Sequence, residues 1–234
     1  MRVHVGTSGY QYRAFRGSLY SEDCREADML TEYGRRLSGV EINNTFYRMP
    51  KSEVVARWAA QVPADFRFSI KASQRITHRQ RLKNSEESVA YLSNNLAGLG
   101  ERLGVVLYQL PPYQRLDLPR LTAFLACQPP QQRVAVEFRH ASWFCDEVLD
   151  LLRERGVALV YSDEGEGEHA TPQITTAPFS YTRLRREEYS SQELAAIARR
   201  LLAEPVDTVF VFFKHEESGA ALALSLQERL VNSL

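Results

Sequence analysis

Seven short apolar runs in this chain end on charged or amide residues: VEINNTF (40–46), FRFSIKAS (66–73), GVVLYQLP (104–111), VAVEFR (134–139), ALVYSDE (158–164), YTRLR (181–185) and TVFVFFKH (208–215). Glu41 and Glu137, with Asp163 as an alternate, are the candidate catalytic acids and bases, because a carboxyl held against a substrate passes a proton. Lys71 and Lys214 offer point charges to a carboxylate or phosphate, and Arg139 and Arg183 suit two-point binding of the same anions. Asn43, Thr45, Gln109 and His78 are candidate orienting groups. His140 and Trp143 complete the ligand-binding candidates, Trp143 as one of several aromatics near strand ends that would stack on a sugar or nucleobase. The competing reading of the same charges is a set of ion pairs plugging one end of the fold, since an isolated buried charge is costly.

The elements that carry these residues follow from the spacing. With VHVGTSG (3–9) the strand-like runs number eight, and helix-like stretches separate them at about 24–38, 52–61, 86–101, 117–127, 143–155, 190–203 and 218–233. This α/β alternation predicts a (β/α)8 TIM barrel: a closed parallel sheet in a single domain over residues 1–234, with its chemistry at the strand C-termini. Side chains two apart share a strand face. Ala135, Glu137 and Arg139 are then expected to face the barrel while Val134, Val136 and Phe138 face the helices. The same phase puts Glu41, Asn43 and Thr45 together, and likewise Ser69 with Lys71, Tyr161 with Asp163, Tyr181 with Arg183 and Arg185, and Phe212 with Lys214. Residues 164–178 (EGEGEHATPQITTAP) predict an irregular sixth βα connection, and 9–23 (GYQYRAFRGSLYSED) a second long loop; such segments are often functional.

Composition narrows the classes. Lys plus Arg and Asp plus Glu both total 29, so no global charge steers the chain to nucleic acid or to a membrane. No apolar run approaches the roughly 18 residues of a membrane span. The N-terminus enters a strand pattern at once, and three cysteines without C-x-x-C spacing argue against a disulfide framework; a reduced, cytoplasmic protein is expected. A retaining glycosidase needs two flanking carboxylates, yet the fourth and seventh strands offer Gln109 and Arg183. A Schiff-base aldolase needs a desolvated lysine, and both candidate lysines are expected beside carboxylates or arginines. Glycine-rich phosphate loops after the last two strands are missing from RREEYS and KHEESG.

The segments VGTSGY (5–10), VEINNTFYRMP (40–50), FRFSIKAS with ITH (66–78), YQLPP (108–112), VAVEFRHASW (134–143), and the ends YTRLR and FFKHE resemble, in order, the YecE-like family, a domain of unknown function. The resemblance implies the barrel and brings no established reaction. Members commonly carry Arg-Leu-His-Gly after the seventh strand, where this chain reads Arg183-Leu184-Arg185-Arg186, and an Asn-rich eighth-strand end, where it reads Lys214-His215. The reading at this stage is an enzyme acting on a small anionic, phosphorylated or carboxylated, sugar-like ligand by acid/base chemistry. No cofactor is expected. One alternative is a metal-dependent sugar-isomerase-like or endonuclease-like enzyme, taking a divalent metal on Glu41, Glu137, Asp163 and a histidine. Another is a non-catalytic ligand- or nucleic-acid-binding barrel, and the residues leave the oligomeric state open.

Overall fold

A computed structural model describes residues 1–163 and 171–232. The eight apolar runs form eight parallel strands: β1 (Arg2–Thr7), β2 (Gly39–Ile42), β3 (Arg67–Lys71), β4 (Leu103–Gln109), β5 (Val134–Glu137), β6 (Ala158–Ser162), β7 (Phe179–Leu184) and β8 (Thr208–Phe213). Hydrogen-bonded ladders run in the spatial order β1-β8-β7-β6-β5-β4-β3-β2. Seven α-helices lie among the described residues: α1 (Met29–Arg36), α2 (Ser52–Ala60), α3 (Glu86–Leu96), α4 (Leu118–Ala126), α5 (Asp146–Arg155), α6 (Ser191–Leu202) and α7 (Gly219–Val231). Ser190 starts α6 with a reciprocal cap in which Ser190 and Glu193 satisfy each other's backbone N–H groups. Helix α5 starts at Asp146 rather than near Ser142, because residues 141–143 form a separate 3-10 turn capped by the His140 side chain. Residues 171–178 carry no helix between β6 and β7, as the Gly/Pro/Thr-rich composition predicts; residues 164–170 of that connection lie outside the described residues.

The period-two pattern divides the apolar residues into two layers. Val105, Leu107, Ala135, Ala158, Val160, Phe179, Tyr181, Phe210 and Phe212 fill the barrel, while Val134, Val136, Phe138 and Leu159 pack outward against helices. One expected phase is reversed. On β6 the inward residues are Ala158 and Val160, so Tyr161 takes the outer side, where the Arg200 guanidinium of α6 lies 4.8 Å from its ring centroid; Asp163 lies just past the strand, at the rim. The outer side of β6 has polar neighbours from α6, so polarity alternates there with the sense expected of an inner face.

The barrel closes differently from a uniform ladder. Strands β1 and β2 share one isolated bridge, Ser8 with Glu41. Below it, side chains do the stitching. The Tyr33 hydroxyl accepts from the Thr7 N–H at 2.7 Å and donates to the Gly39 carbonyl at 3.0 Å. Ser38 Oγ accepts from the Val5 N–H at 3.0 Å. An unpaired buried peptide group costs about 1–3 kcal/mol, and these hydroxyls remove that cost along the seam.

Candidate functional site

The strand ends bring Glu41 of β2, Glu137 of β5 and Arg183 of β7 into one fully buried cluster. Arg183 Nη1 donates to Glu137 at 2.6 Å, and its Nη2 donates to Glu41 at 2.8 Å. Glu41 also accepts from Ser8 Oγ (2.5 Å), Asn43 Nδ2 (3.1 Å) and the Tyr181 hydroxyl (2.8 Å). Glu137 accepts from Gln109 Nε2 (2.8 Å), Arg139 Nη1 (3.2 Å) and Arg185 Nη2 (2.8 Å). Inward phase on β2, β4, β5 and β7 is what makes these side chains converge.

Burial alone would push both carboxyls up. The Arg183 charge beside each, joined by Arg185 at Glu137 and by hydrogen bonds, reverses this, holding Glu41 below and Glu137 well below the usual carboxylate range. Every oxygen of the pair already accepts a hydrogen bond. The arrangement suits two fixed negative charges that lock Arg183 in place. Arg183 has both terminal nitrogens committed to these glutamates, which turns a candidate anion-binding side chain into the keystone of the cluster.

Lys71 stands apart. It ends β3, is half-buried, and its Nζ lies 4.2 Å from the Phe46 ring centroid. Among the described residues no carboxylate pairs with it. Burial and the Arg183 charge bring its amine down from the usual 10.5 to about 8, against an upward pull from Glu41 and Glu137. The neighbourhood therefore differs from the expected one: an aromatic ring takes the place of a bound carboxylate. Thr45 is buried, and its hydroxyl bonds the Ile42 carbonyl (3.0 Å) and the Lys71 carbonyl (2.7 Å). It fixes the 44–46 turn that carries Phe46 and turns no polar atom to the mouth. His78 also lies against Phe46, centroids 5.0 Å apart, and burial and the Lys71 charge lower its pKa.

The remaining candidates take up scattered posts. Asp163 accepts from the Arg185 N–H at 2.7 Å and from the Tyr189 hydroxyl, at the rim between β6 and β7. His140 caps the 141–143 turn through Ser142. Trp143 is fully buried, stacked on Phe138 at 4.6 Å, and donates to the Gln114 carbonyl, so it offers no face for stacking. Lys214 is exposed at the end of β8 and borders, with Arg185, Arg186, His215, Asp163 and three glutamates, an open cavity of about 670 Å³. The acids set against a metal do not assemble: an arginine separates Glu41 from Glu137, Asp163 faces Tyr189, and no three His, Cys, Asp or Glu side chains gather among the described residues. Ser8, Tyr181 and Arg185 were not among the candidates. Arg185 and Tyr181 share the inward phase of Arg183, and that was the available signal; Ser8 gave none beyond its position just past β1.

Glu137→Gln is expected to cost about 3 kcal/mol, because it leaves Arg183 and Arg185 buried against a weaker partner. At roughly 2–4 °C per kcal/mol for a chain of this size, thermal melts at one pH and salt will read the drop directly. A melting temperature equal to that of the wild type would return Glu137 to the acid/base role.

No helix among the described residues is long and apolar enough to cross a membrane. A family model described as "Protein of unknown function DUF72" matches residues 4–233. The UPF0759 protein YecE of Escherichia coli (strain K12) is 35% identical over 149 residues, covering 61% of this chain and 55% of that protein, so the match spans little more than half of that curated relative. The UPF0759 protein YunF of Bacillus subtilis (strain 168) is 24% identical over 188 residues, 75% of this chain and 66% of that one. The crystal structure of a DUF72 family protein from Thermotoga maritima superposes with a TM-score of 0.87 at 27% identity, covering 99% of this chain and 100% of that one. With the family model spanning nearly the whole chain and the same barrel in that relative, this chain belongs to the DUF72 family.

Proposed function

We propose that the barrel mouth binds a small anionic ligand, phosphorylated or carboxylated, and that the protein is an enzyme whose proton chemistry there runs through Lys71. Glu41, Glu137 and Arg183 supply the fixed electrostatic frame. The observation that carries this reading is the Lys71 amine: half-buried at a strand C-terminus, without an ion-pair partner among the described residues, and brought down to about 8 by burial and by the Arg183 charge. An amine in that range is present in both protonation states near neutral pH, which is what proton transfer asks of a side chain. An anion beside it would restore the charged form. Two buried atoms of the same cluster, Asn43 Oδ1 and Arg183 Nε, also have no hydrogen-bond partner among the described residues, and such groups are retained where a ligand completes them.

The linkage gives a test. Anion binding must raise the Lys71 pKa, so at pH 8 it must draw protons from the buffer. Calorimetric titration with inorganic phosphate, in two buffers of different ionisation enthalpy, is expected to show binding with proton uptake. Lys71→Met is expected to weaken binding at least tenfold and to abolish the uptake. Equal binding by wild type and variant, or no binding by the wild type, rejects the reading.

A further inference from the structure

The chain has 25 arginines and only four lysines: Lys51, Lys71, Lys83 and Lys214. Lys51 and Lys83 are exposed, and the other two end strands β3 and β8 at the barrel mouth. Arginine holds a positive charge as well as lysine or better, and it cannot lose its proton in a protein. A chain that uses arginine almost everywhere, yet places lysine at the half-buried end of β3, retains there the one property arginine lacks: a neutral, nucleophilic nitrogen. The surroundings leave that amine half-buried and without a bonded acid among the described residues. The Thr45 hydroxyl ties the 44–46 turn to the Lys71 carbonyl, so the Phe46 ring is held against the amine by a buried hydrogen bond. Glu41 and Glu137, the nearest acids, have their oxygens occupied by Ser8, Tyr181, Gln109 and Arg183.

We infer that Lys71 is a covalent nucleophile that forms a Schiff base with an aldehyde or ketone substrate carrying a phosphate or carboxylate group. The inference rests on the anion-binding reading above and names its substrate class. The neutral Lys71 amine adds to the carbonyl carbon; the N–C bond forms, the carbonyl π pair moves to oxygen, and the proton that the now cationic nitrogen gives up ends on that oxygen. The resulting carbinolamine then loses its oxygen as water, with a second proton going to the leaving oxygen and the nitrogen lone pair forming the C=N bond. Protein amine, carbonyl compound and one proton give a protonated imine and one water. No oxidant, reductant or further reactant is needed. The protonated imine is an electron sink that labilises the neighbouring carbon.

Reductive trapping tests this. Wild-type protein is incubated with pyruvate, glyoxylate or dihydroxyacetone phosphate, reduced with sodium borohydride, and read by intact mass and peptide mapping; dihydroxyacetone is the uncharged control. Expected is one adduct with at least one anionic carbonyl, mapped to Lys71, formed at least tenfold faster than with dihydroxyacetone. Its rate rises as the pH passes through about 8, where the amine becomes neutral. Lys71→Arg, which keeps the charge, is expected to lose the adduct while phosphate still binds. No adduct with any of the three, adducts at Lys51 and Lys83 at equal rates, or equal labelling by dihydroxyacetone overturns the inference. Failure of trapping with phosphate binding intact removes the covalent step alone; loss of phosphate binding to the wild type removes the underlying reading.

Discussion

Arg183→Met will cost more than any other single side-chain change in the mouth, about 3–5 kcal/mol, out of a total stability on the order of 5–15 kcal/mol. Arg183 is fully buried and its Nη2 pairs with Glu41 at 2.8 Å. Taking it away leaves that carboxylate charged and dry. The pH dependence separates this cause from a mere loss of packing. In the wild type the folded-state pKa of both glutamates lies below the unfolded value, so their contribution is complete above about pH 4.5 and is lost as the pH falls through the folded value. In the variant, burial is left to act on Glu41 without Arg183, and its pKa moves above the unfolded value. Its penalty is then largest at neutral pH and is relieved as the pH falls. Denaturant melts at pH 7 and pH 5 should therefore show the gap between variant and wild type closing. Glu41→Gln added to Arg183→Met should recover part of the loss at pH 7, because replacing a buried pair entirely is far cheaper than breaking it. A gap that widens toward pH 5 would show that the cluster is not held by charge.

Gly6→Ala is the second large effect. A Cβ built on Gly6 would sit 1.9 Å from the Gly39 carbonyl oxygen and 2.8 Å from the Tyr33 hydroxyl. Both belong to the seam, and the first is backbone, so relief requires β1 and β2 to move apart. Overpacking with backbone shift costs about 1–3 kcal/mol, occasionally more; here the top of that range or above is expected, a fall of roughly 6–12 °C in melting temperature. Gly98→Ala is the matched control. Its nearest neighbour would be the Ala56 nitrogen at 3.5 Å, ordinary contact, and its melt should stay within about 2 °C of wild type. Equal melts for both variants would mean the seam yields easily.

The barrel was legible because each strand is a nearly unbroken apolar run with turn residues at both ends, the mark of a parallel sheet covered by helices. The inward phase of β2, β5 and β7 was legible too, since Glu41, Glu137 and Arg183 interrupt apolar faces. On β6 the same logic misplaced Tyr161, because it has an arginine of α6 for company and the outer face is no longer apolar. Which charge pairs with which was not legible at all. Arg139 and Arg183 stand near the ends of the β5 and β7 runs with the same residue type, yet Arg183 is fully buried between two acids while the Arg139 side chain keeps 29% of its exposure. Thr45 looked like a ligand group from its phase. The chain leaves the strand at Ile42, and phase carries no information past that point.

The seam has a consequence for how the chain is made. Among the described residues, β1 has its only ladder with β8, Arg2 opposite Thr208 through Thr7 opposite Phe213. The barrel's first strand therefore waits for its eighth. At synthesis rates of about 5–20 residues per second, roughly 10–40 s separate the two. During that interval Tyr33 and Ser38, which follow β1 by about thirty residues, are the earliest groups able to satisfy its peptide N–H groups. The side chains that replace the missing β1–β2 ladder thus serve one edge of the strand long before β8 is made, and a nascent chain lacking the Tyr33 hydroxyl would leave the Thr7 N–H without its partner.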